Sequence, residues 1–239
     1  MKREVEIEVL EKRAYEVRKT FGFDNTSPID FRVIKEKLNH ATFVKYPLSR
    51  NFCGLIYKLD TQSAVIVINS TLNLGRQNFT FAHELYHYYY SSSDTKVCSF
   101  NEDFKKNKKD PEEVTADRFA SYFLMPRFAF LDYFTDECGG IVSEESIIKL
   151  ENHFMVNRYT VVSRLLKELL ISKTNAKPFL KINFDKVNEL GFSRILYESD
   201  PSSIQPSISG HYNELCEKLF NEQKIGKSKY DEIMNVLEK

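Results

Sequence analysis

Apolar residues recur at helical spacing over residues 4–19 and again in SPIDFRVIKEKLN, where Ser27 suits an N-cap and Pro28 the first helical position. CGLIYKLDTQSAVIVIN, residues 53–69, changes period. It alternates and then runs apolar and β-branched around a polar turn, which predicts two strands in a hairpin or meander. Helical spacing returns over 76–90 and 112–125, and the polar, Lys-rich SSSDTKVCSFNEDFKKNKKD between them is expected to be a mobile loop. EESIIKLENHFMVNRYTVVSRLLKELLIS predicts one amphipathic helix, a turn at FMVN and a second helix from about Arg158, the pattern of a helix-turn-helix pair. KPFLKINFDKVNELGF and the Pro- and Ser-rich SDPSSIQPSISG then lead to a last helical pair, HYNELCEKLFNEQKIGKSKYDEIMNVLEK. No repeat or low-complexity tract interrupts this order.

These elements predict an α+β chain: a small sheet and helices first, a mainly helical C-terminal region after. With 239 residues, 42% hydrophobic and 28% charged, the chain is long enough to bury a core. Lys plus Arg and Asp plus Glu both number 34, so no global basic field marks a nucleic-acid or anionic-membrane partner. The first residues, MKREVEIEVLEKRAYEVRK, lack the apolar core of a signal peptide, and no stretch approaches the roughly 20 apolar residues of a membrane span, so a cytoplasmic protein is expected. Cys53, Cys98, Cys138 and Cys216 lie far apart and form no CxxC pair. They indicate neither a disulfide framework nor a thiolate zinc site, and are expected to be small reduced hydrophobes.

Candidate chemistry concentrates in NFTFAHELYHYYY, residues 78–90. Positions i and i+4 share a helix face, so His83 and His87 can present imidazole nitrogens to one zinc ion at the usual ~2.0–2.1 Å. Glu84 projects roughly 100° further around the helix, where a carboxylate can accept the proton of an attacking water. The pattern is HExxH. The competing reading is a histidine pair packed among Phe79, Phe81, Tyr86 and Tyr89. Tyr90 and Ser93 stand where a metzincin has Gly and its third His, which excludes that class. A downstream carboxylate is then required, and DPEEVTADRFASYFLMP offers Glu113 and Asp117, consistent with a ligand and an acid that orients an imidazole. Glu113 equally suits a capping box, with Asp110 as N-cap and Pro111 in the first turn, so both readings stand on the residues alone.

NFTFAHELYHYYY followed by EEVTADRFASYFLMP resembles the ImmA/IrrE family of zinc metallopeptidases, with the likeness covering roughly residues 30–171. The resemblance implies a zincin-like peptidase domain of the gluzincin type. In it Zn2+ is held by His83, His87 and Glu113, with Glu84 as catalytic base and Asp117 supporting a ligand. One departure is Tyr86, where the family usually has Gly before the second histidine; a ring there could reshape the cleft but removes no ligand. The resemblance also implies a protein substrate, a small helix-turn-helix transcriptional repressor of a mobile element, stress regulon or toxin–antitoxin pair. A non-catalytic, zinc-containing regulator that binds DNA or a partner is the alternative.

The expected division is 1–135 as the peptidase domain, 141–172 as the helix-turn-helix-like segment and 173–239 as a helical extension. The segment mixes Arg158, Arg164 and Lys167 with Glu145, Glu151 and Glu168, so packing or substrate docking is preferred over DNA binding. His153 and His211 are expected to be core or solvated histidines. The strand AVIVIN suggests that an extended substrate pairs with the backbone of Val65, Ile66, Val67 and Ile68 by β-augmentation.

Overall fold

The computed structural model describes residues 2–38, 40–49, 51–60, 63–93, 95–99, 110–199, 204 and 206–237. In chain order these form α1 (Lys2–Thr20), α2 (Phe31–Lys37), β1 (Ala41–Tyr46), β2 (Phe52–Lys58), β3 (Ala64–Asn69), α3 (Leu74–Tyr90) and β4 (Thr95–Ser99). The chain continues with α4 (Pro111–Leu124), α5 (Arg127–Asp136), α6 (Glu144–Phe154), α7 (Arg158–Lys167), α8 (Lys173–Ala176) and α9 (Phe184–Glu189). Last come β5 (Ser207–Gly210), α10 (His211–Asn221) and α11 (Lys227–Leu237). The class is α+β, a mixed five-stranded sheet with a helical C-terminal region. None of the described helices is long and apolar enough to cross a membrane.

Two compact units divide the chain, one of Met1–Ile29, Asn73–His83 and Lys108–Glu198, the other of Asp30–Leu72, Glu84–Asn107 and Ser199–Lys239. The second holds the sheet, in the order β4-β2-β3-β1-β5. The expected hairpin is β2 and β3, antiparallel with Ile56 opposite Ile66. β3 also pairs in parallel with β1, Phe43 opposite Ile66. β1 escapes pattern reading because its six residues, ATFVKY, bury only Ala41 and Phe43. The segment expected to be wholly loop contains β4, an edge strand on β2. Its alternating partly buried and exposed residues do not form an apolar run, so sheet pairing decides it. Within that segment, 94 and 100–109 lie outside the described residues. In the Pro- and Ser-rich stretch, Ser207–Gly210 forms β5 against β1, while 200–203 and 205 lie outside the described residues.

The second expected helix starts later than its Ser-Pro signal suggests. Asp30 is the N-cap of α2 and accepts from Arg32 N at 2.9 Å. Ser27 belongs to the preceding turn, where Asp24 Oδ1 accepts from Thr26 N at 2.8 Å and Ser27 N at 2.7 Å. An Asx turn competes with the helix start for the same short polar side chains, and here it wins.

In the first unit α1 lies on α4. Arg18, fully buried, donates to Phe123 O at 2.6 Å, Asp24 O at 2.7 Å and Ser27 O. It thus satisfies a carbonyl in the last turn of α4, where intrahelical donors run out. Burial draws its pKa down to about 10, still far above neutrality. α5, not anticipated from the spacing, buries Ala129, Phe130 and Phe134, and Phe130 packs beside Phe154 of α6.

The expected helix pair is α6 and α7, capped by Ser143 and by Asn157, which accepts from Thr160 N at 3.0 Å. Its two arginines face inward. Arg158 donates through Nε and Nη2 to both oxygens of Glu151 at 3.0 and 2.9 Å, and also contacts Glu144 and Lys181 O. Arg164, fully buried, donates to Ser121 O at 2.6 Å and Met125 O at 2.9 Å and lies over the Tyr122 ring. Of the three α7 cations, only Lys167 is exposed. The turn between the helices, with Met155 at φ 53, receives the start of α3: Asn78 Nδ2 donates to Met155 O at 2.8 Å. A Cβ on Gly75 would stand 2.7 Å from Asn157 N and 2.9 Å from Val156 C. Gly75→Ala should therefore destabilise the protein by ~1–3 kcal/mol through overpacking. This outweighs the gain of up to ~1 kcal/mol that Ala brings to a helix. The urea midpoint measures it; an unchanged or raised midpoint would mean the backbone contact yields.

Candidate active site

The loop before α3 is organised by Asn69, the last residue of β3 and fully buried. Its Oδ1 accepts from Leu48 N and Thr71 N, both at 3.0 Å, and its Nδ2 donates to Ser49 O at 3.0 Å and Phe52 O at 2.7 Å. Only a side chain with both a donor and an acceptor arm can serve these groups at once. After this turn α3 begins, and over 17 residues it carries the whole of HExxH.

His83, Glu84 and His87 are 2%, 0% and 1% exposed. Burial of this many polar groups on one helix requires partners, and α4 supplies them for His83. Asp110 caps α4 by accepting from Glu112 N at 3.0 Å, with Pro111 at the helix start. This places Glu113 in the first turn, its Oε2 3.2 Å from His83 Nε2, and Asp117 one turn on, its Oδ1 3.0 Å from His83 Nδ1.

Both nitrogens of one imidazole thus face carboxylates, which accept and cannot donate when ionised. A neutral imidazole carries a single N–H. If Asp117 accepts from Nδ1–H, Nε2 presents a lone pair towards Glu113, and two electron-rich atoms confront each other unless a proton or a metal cation joins them. Two donors ~2.0–2.1 Å from a tetrahedral centre stand about 3.3 Å apart, close to the observed separation. His83, His87 and Glu113 each offer a ligand atom, all within 4.8 Å of one another. Two imidazoles and a carboxylate, with a further carboxylate behind one imidazole, suit a divalent cation of intermediate softness.

Other expected residues fall elsewhere. The Tyr86 ring is buried and stands edge-on to His87, centroids 5.6 Å apart at 77°, so the bulk that replaces Gly packs beside a site histidine. Val65, Ile66, Val67 and Ile68 lie in β3, in the middle of the sheet. Their backbone is paired with β1 on one side and β2 on the other, so no edge remains there for a substrate strand, and the expected β-augmentation at these residues is corrected. His153 stacks on Tyr133 at 3.9 Å, a packed histidine as anticipated; burial lowers its pKa. The His211 side chain lies outside what is described.

Cys98 is the residue that sequence reasoning missed. It sits on β4 opposite Gly54, and its sulfur forms a second group with His83 and Glu84, one donor atom of each within 4.8 Å of the others. Lying 14 residues after Glu84 with no spacing motif, it carries no signal of this in the sequence. None of the four cysteines is in a disulfide.

No individual curated protein matches the chain. Residues 30–166 match the peptidase family described as the IrrE N-terminal-like domain, a span that takes in α2 through all but the last residue of α7 and holds every candidate site residue above. A match over more than half of the 239 residues, with an HExxH helix at its centre, makes this chain a member of that metallopeptidase-type family, Peptidase M78.

Proposed function

We propose that this chain is a zinc-dependent endopeptidase of the cytoplasm, with a small helix-turn-helix transcriptional repressor as substrate. The observation that carries the metal centre is the His83 imidazole between two carboxylates, at 3.0 and 3.2 Å. His83, His87 and Glu113 would hold Zn2+. When bound, zinc supplies a Lewis acid that acidifies water towards about pH 7 and polarises a carbonyl.

The remaining work falls to this chain's own residues. Asp117 accepts from the Nδ1–H of His83 and so keeps the opposite nitrogen available. Glu84, fully buried beside the ligands, accepts the proton of the attacking water at its carboxylate and returns it to the leaving amine. Its burial removes competing water. An extended substrate needs a strand edge, and β4 lies at the rim of the sheet with Cys98, on the same strand, in donor reach of Glu84. β4 therefore replaces β3 as the strand on which the scissile peptide would be laid.

A repressor substrate is supported by the family membership and by a balanced charge that suggests no polyanion partner. Selectivity would come from docking on the 141–172 and 173–239 segments, the expected divisions outside the peptidase domain. The inward-facing Arg158 and Arg164 support a packing role for α6 and α7 over phosphate contact. The deciding experiment is incubation of the zinc-loaded protein with helix-turn-helix repressors and unrelated unfolded proteins, read by mass spectrometry. One dominant cut in a repressor supports the proposal. Equal cutting of everything would indicate a general peptidase, and no cutting with altered repressor–DNA binding a non-catalytic regulator.

Asp117→Asn tests the orienting role separately. The amide can donate as well as accept, so it no longer selects the His83 tautomer, and zinc affinity should fall ~10–100-fold. Competition with a chelating dye measures this; unchanged affinity would return Asp117 to a merely structural contact.

A further inference from the structure

We propose that Cys98 gives this site a second, thiophilic coordination mode, in which a metal ion is held by His83, Glu84 and Cys98 instead of His83, His87 and Glu113. The two donor groups share His83, and within each the ligand atoms lie within 4.8 Å of one another. One imidazole nitrogen binds one ion, so the modes exclude each other. The second mode contains the sulfur and is preferred by soft ions such as Cd2+.

The sheet creates this arrangement. β4 pairs with β2 so that Cys98 is opposite Gly54, which has no side chain, and an irregularity between Phe52 and Gly54 shifts the register at that point. Bulges re-aim side chains near sites of this kind. Lys96 and Cys98 are partly buried where Val97 is exposed, so the thiol is on the sheet's inner face. Coordination there displaces the thiol proton to solvent as sulfur donates its lone pair to the ion. Glu84 is then a ligand and holds no free carboxylate for proton transfer, so this mode is a resting, non-hydrolytic state. The proposal rests on the metal-centre reading above.

The test uses metal-free, full-length protein and two probe ions. Co2+ should give visible d–d absorption together with near-ultraviolet sulfur-to-cobalt charge transfer. Cys98→Ser should lose the charge-transfer band and keep the d–d bands, while Cys53→Ser keeps both. Cd2+ affinity should fall at least ~10-fold in Cys98→Ser, as expected for a lost donor. In wild-type protein, Cd2+ should slow alkylation of Cys98, followed by peptide mass spectrometry, by a similar factor. Bound Co2+ without sulfur charge transfer, a band that survives Cys98→Ser, or Cd2+-independent alkylation overturns the second mode and leaves the first intact. Absence of any cobalt binding overturns both. A full charge-transfer band in a protein that cleaves nothing supports the second mode and overturns only the peptidase reading.

Discussion

Glu84→Gln protein is expected to retain zinc on His83, His87 and Glu113 and to keep its fold, yet to cleave its substrate ~10²–10⁴-fold more slowly. The amide is nearly isosteric with the carboxylate, so the packing of this fully buried side chain survives. What disappears is the proton acceptor. The zinc-loaded variant would be compared with wild type by rate of substrate cleavage and by metal content after dialysis. Loss of zinc in the variant would make Glu84 a ligand in the working state. Cleavage at the wild-type rate would sink the base assignment outright. Glu113→Ala separates the other half of the site: zinc affinity should drop by about 10-fold or more, and full retention would return Glu113 to a role at the α4 N-terminus.

The largest stability effect should come from Arg158→Ala. Arg158 and Glu151 are 4% and 0% exposed and joined by two hydrogen bonds, with Tyr197 OH donating to Glu151 Oε2 at 2.9 Å. Removing one partner strands a buried charge, for which ~3–5 kcal/mol is typical. Burial already holds the Glu151 carboxyl above its usual range, with Arg158 pulling it back. Without Arg158 the folded pKa rises further. A group raised in the folded state contributes most below its unfolded pKa and loses that contribution as pH rises. The deficit should therefore be largest near neutrality and shrink as pH falls towards the carboxylate value of about 4.3. Urea unfolding at several pH values measures this. A deficit of under ~1 kcal/mol at neutral pH, typical of exposed pairs, would show that the pair is solvated. Because the α6–α7 turn receives Asn78 and Gly75, loosening it should also disturb the start of the HExxH helix.

Long periodic elements and local spacing were legible in the sequence. Helical periodicity located α1, α3, α4, α6 and α7 to within a few residues and α10 and α11 as a pair, and the β2–β3 hairpin followed from its β-branched run. The i, i+4 geometry of a helix places His83 and His87 on one face whatever surrounds them, because the relation is internal to one element. Tertiary structure decided what depends on residues distant in the chain. Glu113 could cap a helix or meet a histidine, and only the packing of α4 puts its oxygen 3.2 Å from His83 Nε2. β1, β4 and β5 are too short or too mixed to announce themselves, since a strand's stability lies in neighbours that pattern reading does not see. The same blindness put a substrate on Val65–Ile68, whose apolar run reflects a central strand paired on both sides. Cys98 shows the limit most clearly: a lone cysteine by composition, it reaches Glu84 because strand pairing, a long-range choice, turns β4 back onto β2.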